Sequence, residues 1–205
     1  MTVKKQKTVL SPANVGSGAG EGSKEKGERT KPFKTALVGK IVVSSELDAK
    51  QLYEKSSFGE LAEDRIQYSL VEALYLLSKG RIKVNSSGKG KETALDFTSF
   101  LKQSSKLEPN FYTRFIVFKD MRNRGYIVKT ALKFGADFRV YNKGVKPGQD
   151  HARWILYPVS EGSTLTWQDF AAKNRVAHST KKRLLIGVVD NEGDVTYYEI
   201  SWQRP

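Results

Sequence analysis

Five β-rich runs crowd the chain after residue 125: YIVKTALKF (126–134), DFRVY (137–141), HARWILYPV (151–159), KRLLIGVVD (182–190) and DVTYYEISW (194–202). One helical segment, TWQDFAAKNRVAHS (166–179), interrupts them. Runs rich in β-branched and aromatic residues suit a pleated, half-buried surface. A helix set among them is the ordinary crossover between strands of one sheet. The acidic turn Asp190-Asn191-Glu192-Gly193 closes a tight hairpin before the last run. The end of this chain must therefore fold as a sheet with a crossover helix.

The stretch before it is mixed. LVGKIVV (37–43) reads as a strand, and SELDAKQLYEK (45–55) as a helix capped by Ser45. SLVEALYLLSKG (69–80) is the clearest helix. Ser69 and Glu72 form a capping box, Leu70, Ala73, Leu74 and Leu77 make a stripe, and Gly80 ends it. RIKV (81–84) is a short strand, and NSSGKGKET (85–93) a polar, basic loop. Asp96 caps a helix to about Ser104. Asn110 caps another, lined by Phe111, Phe115 and Phe118 and ended by Gly125. The expected organisation is a disordered basic tail (1–32), a small mixed α/β domain (33–107) and a sheet-dominated domain (108–205). Lys4, Lys5, Lys7, Lys24 and Lys26 charge the tail. The fold class is α/β (α+β).

A net charge of +13 over 205 residues points to a polyanionic partner, because neutralising phosphates releases condensed counterions. The absence of cysteine excludes disulfides and thiolate chemistry. No run of 18 apolar residues offers a membrane span. With only His151 and His178, a histidine-rich zinc site is not expected. No carboxylate cluster of the kind that holds magnesium for a DNA nuclease is evident. The expectation is a cytoplasmic protein that needs no metal and no cofactor.

Tyr141, His151 and Lys182 supply a phenol, an imidazole and an ammonium, a set that can cleave RNA without a metal. Taken singly, each has a plain reading: a packed strand residue, a histidine at a strand start, one lysine of a solvated basic run. Their joint order changes the balance. SLVEALYLLSKGRIKV, GYIVKTALKFGADFRVY, PGQDHARW and RVAHSTKKRLLIGVVDNEGDVTYYEISWQRP together resemble the archaeal tRNA-splicing endonuclease family from about Leu37 to Pro205. The resemblance implies a restriction-endonuclease-like C-terminal nuclease domain. It implies excision of introns from precursor tRNA at bulge–helix–bulge sites, leaving a 2′,3′-cyclic phosphate and a 5′-hydroxyl.

By the same resemblance Tyr141 is the general base on the 2′-hydroxyl, His151 the general acid on the leaving 5′-oxygen, and Lys182 the cation facing the phosphorane. Histidine suits an acid at neutral pH. Tyrosine ordinarily ionises near pH 10, which leaves positioning of the 2′-hydroxyl as the other role for Tyr141. Lys182 is preferred to Lys181 by its register to Asp190. Arg175 and Trp202 match residues that grip a bulged base across a subunit interface. Trp154 and Trp167 are read as packing residues.

Asp190, Glu192 and Asp194 match a loop that docks into a basic pocket on a neighbouring subunit. One chain holds one trio and two splice sites must be cut, so at least two copies are needed. The preferred assembly is two catalytic with two structural subunits, the alternative a homotetramer. Ala152 stands where the family often has a small hydroxyl residue. The loop around Lys89 and Lys91 is an apparent insertion; some crenarchaeal relatives carry an added lysine-bearing loop that broadens substrate choice, and this loop and Lys55 are either its counterpart or variable surface loops. The competing function is a non-catalytic, RNA-binding structural subunit, against which retention of all three residues argues.

Overall fold

In a computed structural model, residues 31–88, 91–131 and 135–203 are described. Residues 1–30, with the five tail lysines, and Lys89 lie outside them. The first sheet holds six strands: β1 (Phe33–Val38), β2 (Ile41–Ser44), β3 (Glu60–Ala62), β4 (Arg65–Ser69), β5 (Ile82–Gly88) and β6 (Lys91–Leu95), in the order β3-β4-β2-β1-β5-β6. The second holds five: β7 (Ile127–Thr130), β8 (Phe138–Tyr141), β9 (Trp154–Ser160), β10 (Arg183–Val189) and β11 (Val195–Ile200), in the order β11-β10-β9-β8-β7. Helices α1 (Leu47–Ser56), α2 (Leu70–Ser78), α3 (Phe97–Leu107) and α4 (Phe111–Asn123) belong to or follow the first sheet. Helix α5 (Trp167–Ser179) is the crossover between parallel β9 and β10. The mixed α/β class and the crossover are as expected.

Several elements differ from the sequence reading. The single strand at 37–43 is two antiparallel strands, because Gly39 takes φ +60° and turns the chain between Val38 and Ile41. The 85–93 loop is a hairpin in which β5 and β6 pair from Val84↔Leu95 to Gly88↔Lys91. Its polar residues occupy a sheet edge, so no apolar alternation announced it. Ser45 does not cap α1. The N-cap is Glu46, without a side-chain cap bond, while Ser44 Oγ accepts the Glu46 amide (3.3 Å) and donates to the Lys34 carbonyl (2.8 Å). Asn110 stands at the N-cap of α4 but makes no side-chain cap bond. Its left-handed backbone (φ 52°) serves to turn the chain from α3 into α4.

Helix α2 organises the core. Both arms of its Ser69–Glu72 capping box form. Leu70, Val71, Ala73, Leu74, Tyr75 and Leu76 are all buried, so the helix is enclosed nearly all round rather than along the one expected stripe. Tyr75 packs edge-on against Phe118 of α4 (centroids 5.7 Å) and stacks on Phe58 (5.6 Å). Phe118 in turn meets Phe138 of β8 at 5.8 Å. One apolar cluster therefore runs from the first sheet through α2 and α4 into the second.

A buried charge sits in this helix. Glu72 accepts from the Ser69 hydroxyl (2.9 Å) and from the amides of Ser69 and Gly59 (both 3.0 Å). Lys129 of β7 stands 3.6 Å from it, with both side chains about 5% exposed. The Lys129 ammonium also donates to the carbonyls of Ser57 and Gly59. Gly59 adopts φ +74°, and a Cβ there would lie 2.5 Å from Ile66 Cγ2, so only glycine fits this approach. Removing one partner of a buried pair strands the other, at a cost of about 3–5 kcal/mol. Glu72→Ala should lower the urea midpoint by that much stability with an unchanged slope. A loss under ~1 kcal/mol would show that the pair does not join the two sheets.

Candidate active site

Three adjacent strands bring the trio together. β8 runs antiparallel to β9, with Val140 opposite Trp154, and the Arg153 amide donates to the Val140 carbonyl at 2.9 Å. Tyr141, the last residue of β8, therefore lies beside Arg153. β10 runs parallel to β9, with Arg183 opposite Trp154, and the Arg183 amide donates to the Arg153 carbonyl at 3.0 Å. Lys182 therefore also lies beside Arg153. His151 is two residues earlier on the approach to β9. One reversed strand and two parallel ones thus place Tyr141, His151 and Lys182 at the same end of the sheet.

Each residue is held differently. Tyr141 is buried, 5% exposed, which fixes its ring. His151 is exposed, and its backbone amide donates to the Asp150 carboxylate at 2.6 Å. Ala152 is buried and offers no side-chain donor. Lys182 closes the end of α5. Its amide donates to the Ala177 carbonyl and its ammonium to the Thr180 carbonyl, both at 2.8 Å. Two ammonium protons remain for an anion. Lys181 adopts φ 55°, acting as the left-handed residue that ends the helix.

Behind this end lies a support that the sequence did not reveal. Glu199 of β11 accepts from the Trp154 indole and from Arg183, each at 2.6 Å. Burial opposes ionisation of Glu199, but these two hydrogen bonds outweigh it and hold its carboxyl below the usual range. The cluster ties the starts of β9 and β10 to β11, next to His151 and Lys182. Trp154 is half-buried, consistent with packing. Trp167 is not a packing residue. As the first residue of α5 it projects from the helix end, 76% exposed, touching Phe170 edge-on.

Arg175 is exposed on α5, and Trp202 is 54% exposed. Trp202 packs against His178, with ring centroids 5.0 Å apart and planes at 51°. His178 lies one turn after Arg175 on the same helix face, a spacing from which it could have been found. The acidic hairpin is at the opposite end of β10, about 20 Å away for seven strand residues. Asp190 is used inside the turn, accepting the amides of Glu192 (3.0 Å) and Asp194 (2.9 Å). Glu192 and Asp194 are exposed. Lys55 is exposed in the last turn of α1.

A recess of about 620 Å³ is lined by Asn110, Asp137, Tyr157, Ser160 and Lys173, toward the far end of β9 and away from the trio. Burial raises the Asp137 carboxyl above its usual range, opposed by Arg114 and Lys173. Burial and the Asp137 charge also push the Tyr157 phenol up to about 12. Among the described residues no group of three or more His, Cys, Asp or Glu side chains could hold a metal ion, and no helix is long and apolar enough to cross a membrane.

Comparison with known proteins follows this architecture. A model of the tRNA intron endonuclease N-terminal domain matches residues 33–98, and one of the catalytic C-terminal domain matches residues 111–197. A tRNA-splicing endonuclease of Methanothermobacter thermautotrophicus is 39% identical over 165 residues, 80% of this chain and 94% of its own. One of Pyrococcus horikoshii is 40% identical over 84% of this chain and 97% of its own, and one of Nanoarchaeum equitans 42% identical over 71% and 94%. The sequence, both halves of the fold and the relatives agree: the chain belongs to the tRNA intron endonuclease family and is an endonuclease.

Proposed function

We propose that this chain is the catalytic subunit that excises introns from precursor tRNA, cutting bulge–helix–bulge RNA without a metal. The observation that carries this reading is the strand register that gathers Tyr141, His151 and Lys182 at one sheet end. The 2′-hydroxyl attacks the adjacent phosphorus, with Tyr141, entering the step as its phenolate, directing it and taking its proton. As the new P–O bond forms, the bond to the 5′-oxygen breaks, and His151 gives that oxygen a proton. Lys182 offsets the charge that builds on the phosphorane. The products are a 2′,3′-cyclic phosphate and a 5′-hydroxyl, with every proton accounted for and no co-reactant.

Arg175 and Trp202 supply a sequence-tolerant grip for an extruded base through stacking and cation–π attraction, worth roughly 1–3 kcal/mol per base. The exposed Glu192 and Asp194 carboxylates lie too far from the trio of their own chain to serve it. They support a docking role toward a basic surface of another subunit. The assembly that follows is two catalytic with two structural subunits, or a homotetramer.

Three outcomes test this reading. Cleavage of bulge–helix–bulge RNA should persist in excess EDTA, and complete dependence on added magnesium would sink the mechanism. His151→Ala should slow single-turnover cleavage at least 100-fold while RNA binding is retained; an unchanged rate removes the acid role. Reversing charge at Glu192 and Asp194 to Lys should lower the native mass of the assembly, and an unaltered mass would exclude the turn from the interface.

A further inference from the structure

A second recess, about 290 Å³, lies between the first half of the chain and the β7–β8 edge of the second sheet. Its walls include Ser57, Gly59, Glu60, Lys129, Arg139 and Pro147. Two of its surroundings tie it to the site. Arg139 is two residues before Tyr141 on β8, so both side chains leave the same face of the strand, about 7 Å apart along it. Pro147 belongs to the segment that leads into His151.

The cations here are not equivalent. Lys129 is committed to Glu72 and to the Ser57 and Gly59 carbonyls. Lys146 donates to the Glu54 carbonyl at 2.9 Å. Among the described residues Arg139 has no such commitment. Among the described residues its Nε is buried without a hydrogen-bond partner, and the carboxylate it pairs with is Glu60 at 3.9 Å, the outer limit of an ion pair. Glu60 is 63% exposed on the rim, where such a pair contributes little. A guanidinium left this way beside an open recess is poised for a better anion. Its planar fork matches the oxygens of a phosphate.

We propose that Arg139 binds a backbone phosphate of the substrate RNA, neighbouring the one that is cut. The proposal rests on the reading of Tyr141 as part of the cleavage site. Arg139 would fix the strand just before it passes Tyr141, setting which linkage meets the trio. Lys129, which also lines the recess, is taken up by Glu72 and the two carbonyls and makes no contact with RNA.

Salt dependence of binding tests the contact itself. Affinity for a bulge–helix–bulge RNA with 2′-deoxynucleotides at both cut positions is measured by anisotropy over a series of potassium chloride concentrations. Arg139→Gln should bind about tenfold or more weakly at low salt. Its plot of log affinity against log salt should be shallower by about 0.7–0.9, the loss of one phosphate contact. Arg139→Lys should restore the slope. If Arg139→Gln does not fold by urea titration, Arg139→Met, which keeps the apolar stem, carries the same expectation. An unchanged slope overturns the proposal even if affinity falls, because a packing role does not alter the number of ions released. Wild-type protein that does not prefer this RNA to a plain duplex would instead overturn the splicing function, so the two failures are distinct.

Discussion

One buried carboxylate joins α2, the loop at Gly59 and the second sheet. Glu72 closes the capping box of α2, takes the Gly59 amide and faces the Lys129 ammonium of β7. A second cation reaches the same loop from α4: Arg122 donates to the Ser56 carbonyl at 2.8 Å and lies 3.6 Å over the Phe58 ring. Burial lowers its guanidinium to about 10, against the opposing pull of Glu72 and Tyr75. Lysine and arginine thus converge on carbonyls of the loop from Ser56 to Gly59. An unpaired charge at this depth would cost several kcal/mol, so the loop, α2 and β7 are constrained to one arrangement.

That constraint reaches the trio through the sheet. β7 carries Lys129 and pairs with β8 from Ile127↔Tyr141 to Thr130↔Phe138. Fixing β7 therefore fixes the strand that ends in Tyr141. On the other side Glu199 clasps Trp154 and Arg183, which sets the starts of β9 and β10. Helix α4 packs across the opposite face so closely that a Cβ on Gly187 of β10 would meet Val117 at 3.2 Å. The site is thus held on rigid strand ends, whereas His151 is exposed on a loop. That access suits the acid role proposed for His151.

The legible part of this chain was the part with local signals. The capping box and terminal glycine marked α2, and the β-rich runs marked β7 to β11. Strand β3 was missed because Glu60 and Leu61 are exposed and give no apolar alternation, and β4 because its alternation is carried by only two residues, Ile66 and Tyr68, directly before the helical run of α2. The β5–β6 hairpin was hidden for the same reason, and the Gly39 turn was absorbed into one apolar run. The trio was proposed only through the order of several motifs, since Tyr141 alone reads as the buried strand residue that the structure shows. Arg139, Glu199 and the Glu72–Lys129 pair carried no sequence signal. Their partners are distant in the chain and meet only once the strand register is set.

The central claim is that a 2′-hydroxyl, not a metal-bound water, attacks the phosphorus at the Tyr141–His151–Lys182 end of the sheet. End-group analysis of the cleaved RNA tests it most directly. The account predicts a 2′,3′-cyclic phosphate on the upstream fragment and a free 5′-hydroxyl on the downstream one. A 3′-hydroxyl facing a 5′-phosphate at the cut would contradict it.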